Sequence, residues 1–130
     1  MSSLNKAVIW IVRLTFLISL VLGLMLWSGR GYEYLRLHMW LGFIITFALL
    51  LLVILALLAR VRPAMPLVTF VWAVLLPVIG IAQLRIVPGP NHWTIRVIHL
   101  ILGVGAIGLG EVLSKRIKQA GARRPDPVRT

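Results

Sequence analysis

Residues 37–59 read LHMWLGFIITFALLLLVILALLA, without a single Lys, Arg, Asp or Glu. Coiled as an α-helix, a run of this length extends about 34 Å, enough to cross the ~30 Å hydrocarbon layer of a bilayer. It has no polar face to turn to water, so its surroundings must be lipid or other apolar helices. Three further apolar runs, at 7–27, 65–84 and 93–114, are each bounded by basic residues. Period-two alternation is absent throughout, which excludes a membrane β-barrel. The expected fold is therefore all-α, an integral membrane up-and-down four-helix bundle. Residues 1–120 would form the bundle and 121–130 a disordered cytoplasmic tail, since the chain ends in the polar, proline-containing ARRPDPVRT. The first apolar run is read as a retained span, because LWSGR at 26–30 offers no small-x-small cleavage site.

Composition supports this reading. The chain has 130 residues, 60% of them hydrophobic, and 14 Lys and Arg against 3 Asp and Glu, for a formal charge of +11. In a membrane protein such an excess collects at span ends and on cytoplasmic flanks. One side gathers Lys6, Arg60, Arg62 and the tail (Lys115, Arg116, Lys118, Arg123, Arg124, Arg129), whereas the other carries the loops at 28–35 and 85–96. The positive-inside rule then puts both termini in the cytoplasm of a bacterial-type inner membrane. The lipid bilayer is the first partner. No nucleic-acid partner is expected, since no soluble basic face exists to hold one. The chain has no cysteine, which removes disulfides, thiolate metal sites, iron–sulfur clusters and covalent C-x-x-C-H haem attachment.

Two short stretches echo each other inside the apolar runs: RLHMWLG at 36–42 and VIHLILG at 97–103. Each has a histidine followed by Leu at the third position and Gly at the fourth. An imidazole in hydrocarbon needs a polar partner or a metal. Short connections make consecutive helices antiparallel, so the second and fourth spans run the same way and lie diagonally across a square bundle. His38 and His99 then enter from the same face, roughly 5–9 Å below the boundary at 1.5 Å per residue. The diagonal of about 11–14 Å between axes suits two imidazoles with a flat macrocycle between them. His38 and His99 are accordingly expected to be metal ligands on one haem b, bound non-covalently.

Gly42 and Gly103 lie one turn deeper than the histidines, where a missing side chain leaves room for the edge of a planar group. Helix packing would use the same small residues, and for Gly103, Gly105, Ala106 and Gly110 that use is an equal expectation. Arg36 and Arg96 are the cations nearest the site and would meet haem propionates at the external interface, although interfacial Arg side chains also serve headgroups. His92, in PGPNHW at 88–93, is expected on the surface, and Gln83, Tyr32 and Tyr34 are candidates for hydrogen bonding a quinone or propionate. Trp27, Trp40 and Trp93 fit an interfacial aromatic belt. Pro77 is expected to kink the third span. Glu111 is the only acid within a span and is expected to pair with Lys115, four residues on.

At these residues the chain resembles the four-helix membrane b-type cytochromes, such as the diheme subunits that anchor respiratory dehydrogenases and hydrogenases. The likeness rests on the four-span layout and on His38 with Gly42 and His99 with Gly103. It implies axial ligation by His38 and His99 and electron transfer between the quinone pool and a partner redox protein, with a second copy of the chain as another candidate partner. Most such proteins hold two haems on four histidine ligands. The ligands here suffice for one, near the external face. Two other readings remain open: a subunit that ligates the magnesium of chlorophyll, and a cofactor-free structural or assembly subunit. With no Gly-rich phosphate loop, carboxylate pair or His-Glu metal motif, an electron-transfer protein is expected over a stand-alone catalyst.

Overall fold

The computed structural model describes residues 2–123 and is all-helical, with no strand among them. Helix α1 spans Ser2–Trp27, α2 Leu35–Leu58, α3 Ala64–Ala82 and α4 His92–Ala122, with a single 3₁₀ turn at Tyr32–Tyr34. All four helices are long and apolar enough to cross a membrane. As an even number of antiparallel spans requires, both ends of the described chain lie at one end of the bundle, the terminal end. The 28–34 and 83–91 connections lie at the other, the loop end. Helix α4 continues two turns past the expected span end and passes the boundary drawn at residue 120, since KRIKQA is made of good helix formers. The rest of the expected tail, 124–130, lies outside the described residues.

Neighbours around the bundle are α1–α2, α2–α3, α3–α4 and α4–α1, and α2 also touches α4 across the centre. The expected diagonal is thus formed, and it is the short one. Toward the terminal end the centre is solid. Leu49, Leu52, Leu113, Val12 and Ala106 are sealed from the surface and belong to one continuous apolar cluster. The outward faces are equally apolar: Phe47 is 68% exposed and Leu67 63%. Burying apolar surface therefore cannot be what draws these helices together in lipid, and close packing and interhelical polar contacts must.

Both kinds of contact are present. Trp72 of α3 packs against Gly105 of α4, where any Cβ would collide with the indole, and its Nε1–H donates to the Leu102 carbonyl at 2.8 Å. Gly110 admits Leu49, Ile9 and Val12. Near the terminal end, the buried Asn5 amide donates to the Ser114 carbonyl at 3.0 Å. The expected Glu111–Lys115 pair does not form. Glu111 instead takes a two-pronged bond from Arg13 of α1, Nε to Oε1 at 2.6 Å and Nη2 to Oε2 at 2.9 Å. The planar guanidinium matches both carboxylate oxygens, which a lysine ammonium cannot do. The Arg13 guanidinium also sits 4.8 Å from the Trp10 ring centre.

Two outcomes follow from this packing. Gly105→Ala should lower stability in detergent by about 1–3 kcal/mol through overpacking against Trp72. Gly108→Ala, where a Cβ meets nothing, should not lower the melting temperature, since it relieves the helix of a flexible residue. Removing one charge (Arg13→Leu or Glu111→Leu) should lower the thermal midpoint more than removing both together, because the single variant strands an ion in hydrocarbon.

Candidate functional site: a histidine pair at the loop end

His38 stands on the first turn of α2, and His99 on the second turn of α4. Because the two helices run in the same direction and touch across the centre, the rings come to the same level, facing one cavity. Their centroids are 6.1 Å apart and their planes are 73° from parallel. Each ring is seated against a glycine of the preceding helix. A Cβ on Gly23 of α1 would lie 3.1 Å from Cε1 of His38, and one on Gly80 of α3 would lie 3.0 Å from Cε1 of His99. The two helical hairpins, α1–α2 and α3–α4, therefore present their histidines in the same way. This adds structural weight to the sequence echo of His-x-x-Leu-Gly.

Polar support of the rings is unequal. Nδ1 of His38 lies 3.0 Å from the Ser19 carbonyl and 3.1 Å from the Ser19 hydroxyl. A carbonyl can only accept, so this contact puts the proton on Nδ1 and leaves the lone pair on Nε2. Nδ1 of His99 is buried and has no hydrogen-bond partner.

Between the helices at this level lies a cavity of about 220 Å³. Its inner wall is apolar, with Phe16, Ile45, Leu76 and Leu100, and its mouth is edged by Tyr32, Gln83, His92 and Arg96. Gly29, at φ 78°, ends α1 in a left-handed turn, and Gly31, at 73°, caps the 3₁₀ turn that brings Tyr32 to the cavity's edge. Gly42 and Gly103 both line the cavity: a Cβ on Gly42 would meet nothing, and one on Gly103 only the edge of Phe16 at 3.9 Å. The dual expectation for the α4 glycines thus divides by position. Gly105 and Gly110 serve packing, as does Ala106, whereas Gly103 faces open space.

Of the two arginines, Arg96 lines the cavity, while Arg36 is exposed and points elsewhere. His92 is not a detached loop residue. It is the first residue of α4, half-buried at the mouth, with its Nδ1 3.2 Å from the Val87 carbonyl. Tyr32 and Gln83 reach the cavity, but Tyr34 does not. Trp27 also lines it, whereas Trp40 and Trp93 stay on the outer surface, 64% and 57% exposed. Ser19, Gly23 and Gly80 escaped the sequence reading. A search for small residues near the loop ends of α1 and α3, at the depth of the histidines, is the signal that finds them. Among the described residues no group of three or more His, Cys, Asp or Glu converges, so the protein itself offers a metal two imidazoles and not a closed cage.

The ring-to-ring juxtaposition can be checked without any cofactor, because the chain has no native cysteine. In His38→Cys/His99→Cys, a short bifunctional thiol reagent should link the two positions within one chain, holding the fragments together after cleavage in the 83–91 connection. His38→Cys/Val112→Cys should not cross-link. Comparison of the chain with known protein families, characterised proteins and solved structures finds no match.

Proposed function

We propose that the chain is a membrane b-type cytochrome that holds one haem b between His38 and His99. The observation that carries this reading is the ring separation. Two imidazoles on opposite sides of one metal, with bonds of about 2.0–2.1 Å and roughly 1.1 Å from nitrogen to ring centre, would have centroids roughly 6.3 Å apart. The observed 6.1 Å agrees to within a few tenths of an ångström. With only two protein ligands, the other four positions around an iron must come from a macrocycle, which is what haem supplies. Separate pigments, one on each histidine, would need space for two planes, so the spacing argues against a chlorophyll pair.

The surroundings fit the same group. Ser19 holds His38 in the tautomer that offers Nε2 to a metal, the usual role of a carbonyl behind a metal-bound imidazole. The bare backbones at Gly42 and Gly103 leave the cavity broad where a flat ring edge would lie. Arg96 at the mouth is placed to pair with a propionate. Bound there, haem would supply one-electron redox chemistry, while the protein contributes ligation, orientation and a dry apolar wall that tunes the potential. The electron partners on this reading are the quinone pool or a neighbouring redox protein. The excess of basic residues at the terminal end favours a cytoplasmic location for both termini and an external position for the site.

The purified protein should be red, with a pyridine haemochrome spectrum of haem b at about one per chain. His38→Ala and His99→Ala should each abolish the six-coordinate low-spin signature in oxidised and reduced spectra. A colourless protein after haem-supplemented expression, or an unchanged spectrum in both single variants, would remove the assignment.

A further inference from the structure

The two histidines share a placement but not a support, and the missing hydroxyl can be traced to one position. On α1, Ser19 and Gly23 are one turn apart, and both touch His38. On α3, Leu76 and Gly80 have the same four-residue spacing, and Gly80 is the residue against which His99 is seated. Leu76 thus holds on α3 the place that Ser19 holds on α1, and it is buried, only 5% exposed. The hydroxyl and the additional carbonyl bond that secure His38 have no counterpart there.

This leaves Nδ1 of His99 without an acceptor, and solvent cannot make good the loss. The atom is sealed from water, and the Cβ position of Gly80 lies 3.6 Å from it. An imidazole that binds a metal through Nε2 keeps its proton on Nδ1, and that N–H normally donates to a carbonyl, carboxylate or water. Removing such a partner weakens metal binding on the order of 10–100-fold. His38 meets the condition and His99 does not.

We propose that His38 and His99 are inequivalent ligands, His38 remaining bound while His99 yields its place on ferrous iron to a neutral diatomic molecule of the carbon monoxide, nitric oxide or dioxygen class. This rests on the one-haem reading above. In the exchange, His99 gives up the bond from Nε2 to iron and a bond from iron to the incoming donor atom forms. Carbon monoxide would leave the iron ferrous, dioxygen would draw electron density from it while bound, and in neither case would a proton or electron leave the site. A neutral ligand is favoured because the cavity's inner wall, which includes Leu76 and Leu100, would penalise a buried anion, while the lining Arg96 lies at the mouth, where it is placed for a propionate.

The test is a carbon monoxide titration of the purified holoprotein reduced with dithionite. The wild type should convert to a carbon monoxide complex with a shifted and sharpened Soret band. Leu76→Ser, which supplies a hydroxyl at the Ser19-equivalent place, should retain haem and bind carbon monoxide about tenfold more weakly. Leu76→Ala removes the same bulk without adding an acceptor and should not tighten His99. Independently of how Leu76 variants fold, His99→Gly should keep haem in a five-coordinate form that takes up carbon monoxide without competition, whereas His38→Gly should lose most of it. A red, reduced wild type that keeps its six-coordinate spectrum at saturating carbon monoxide overturns this inference alone. So does equal haem loss in the two glycine variants. A colourless wild type removes the cytochrome reading and this inference with it.

Discussion

A polar ring inside hydrocarbon must find a partner or carry the cost of going without one, and the loop end of this bundle is arranged around two such rings. Their meeting depends on parallel α2 and α4 touching across the centre, while α1 and α3 stand on the flanks. It depends equally on Gly23 and Gly80, since a Cβ at either would press to within 3.0–3.1 Å of the imidazole and push it from its seat. The solid core around Leu49, Leu52 and Leu113 fixes the four axes at the terminal end. With that end held, the loop end can stay open around a cavity without the bundle splaying apart.

What holds the helices together in an apolar solvent is a small set of directed contacts. Ser19–His38 joins α1 to α2, Asn5–Ser114 and Arg13–Glu111 join α1 to α4, and Trp72–Leu102 joins α3 to α4. The remaining neighbours, α2 and α3, are linked by the short 59–63 turn, where the Val61 N–H reaches back to the Ala56 carbonyl at 2.9 Å. Three sides of the square thus carry a side-chain hydrogen bond, and the fourth is closed by its short turn and by packing. Arg13 and Glu111 are each 41% exposed on the flank of the bundle, and each is the other's ion-pair partner there.

The four spans were legible because hydrocarbon thickness fixes helix length, and 37–59 could be nothing else. The level of His38 and His99 was legible for the same reason: depth along a helix follows from residue count. What could not be read was rotation about the helix axes. In a chain apolar on all faces, periodicity does not say which side of a span turns inward. The glycines show the consequence. Gly105, under an indole, and Gly103, over a cavity, are two residues apart with opposite uses, and only the three-dimensional packing separates them. Glu111 was misassigned because sequence spacing shows partners within a helix, such as Lys115, but not Arg13 across an interface. Ser19 and Leu76 were invisible for a related reason: their roles arise from the turn next to a glycine on another helix.

Neither hairpin forms the site by itself. Separated, α1–α2 would turn the His38 ring and the bare backbone at Gly42 toward lipid, and α3–α4 would do the same with His99 and Gly103. The cavity exists only where the hairpins meet, and there the protein leaves space unfilled, with no side chain at 42 or 103. A ligand that bridges the two rings would bind only the assembled bundle, and by linkage would stabilise it in proportion to its occupancy. The open end, which looks like a packing defect when the chain is considered alone, would then be where assembly and capture of such a ligand become one equilibrium. The core at the opposite end keeps the two hairpins close enough for that equilibrium to be reached.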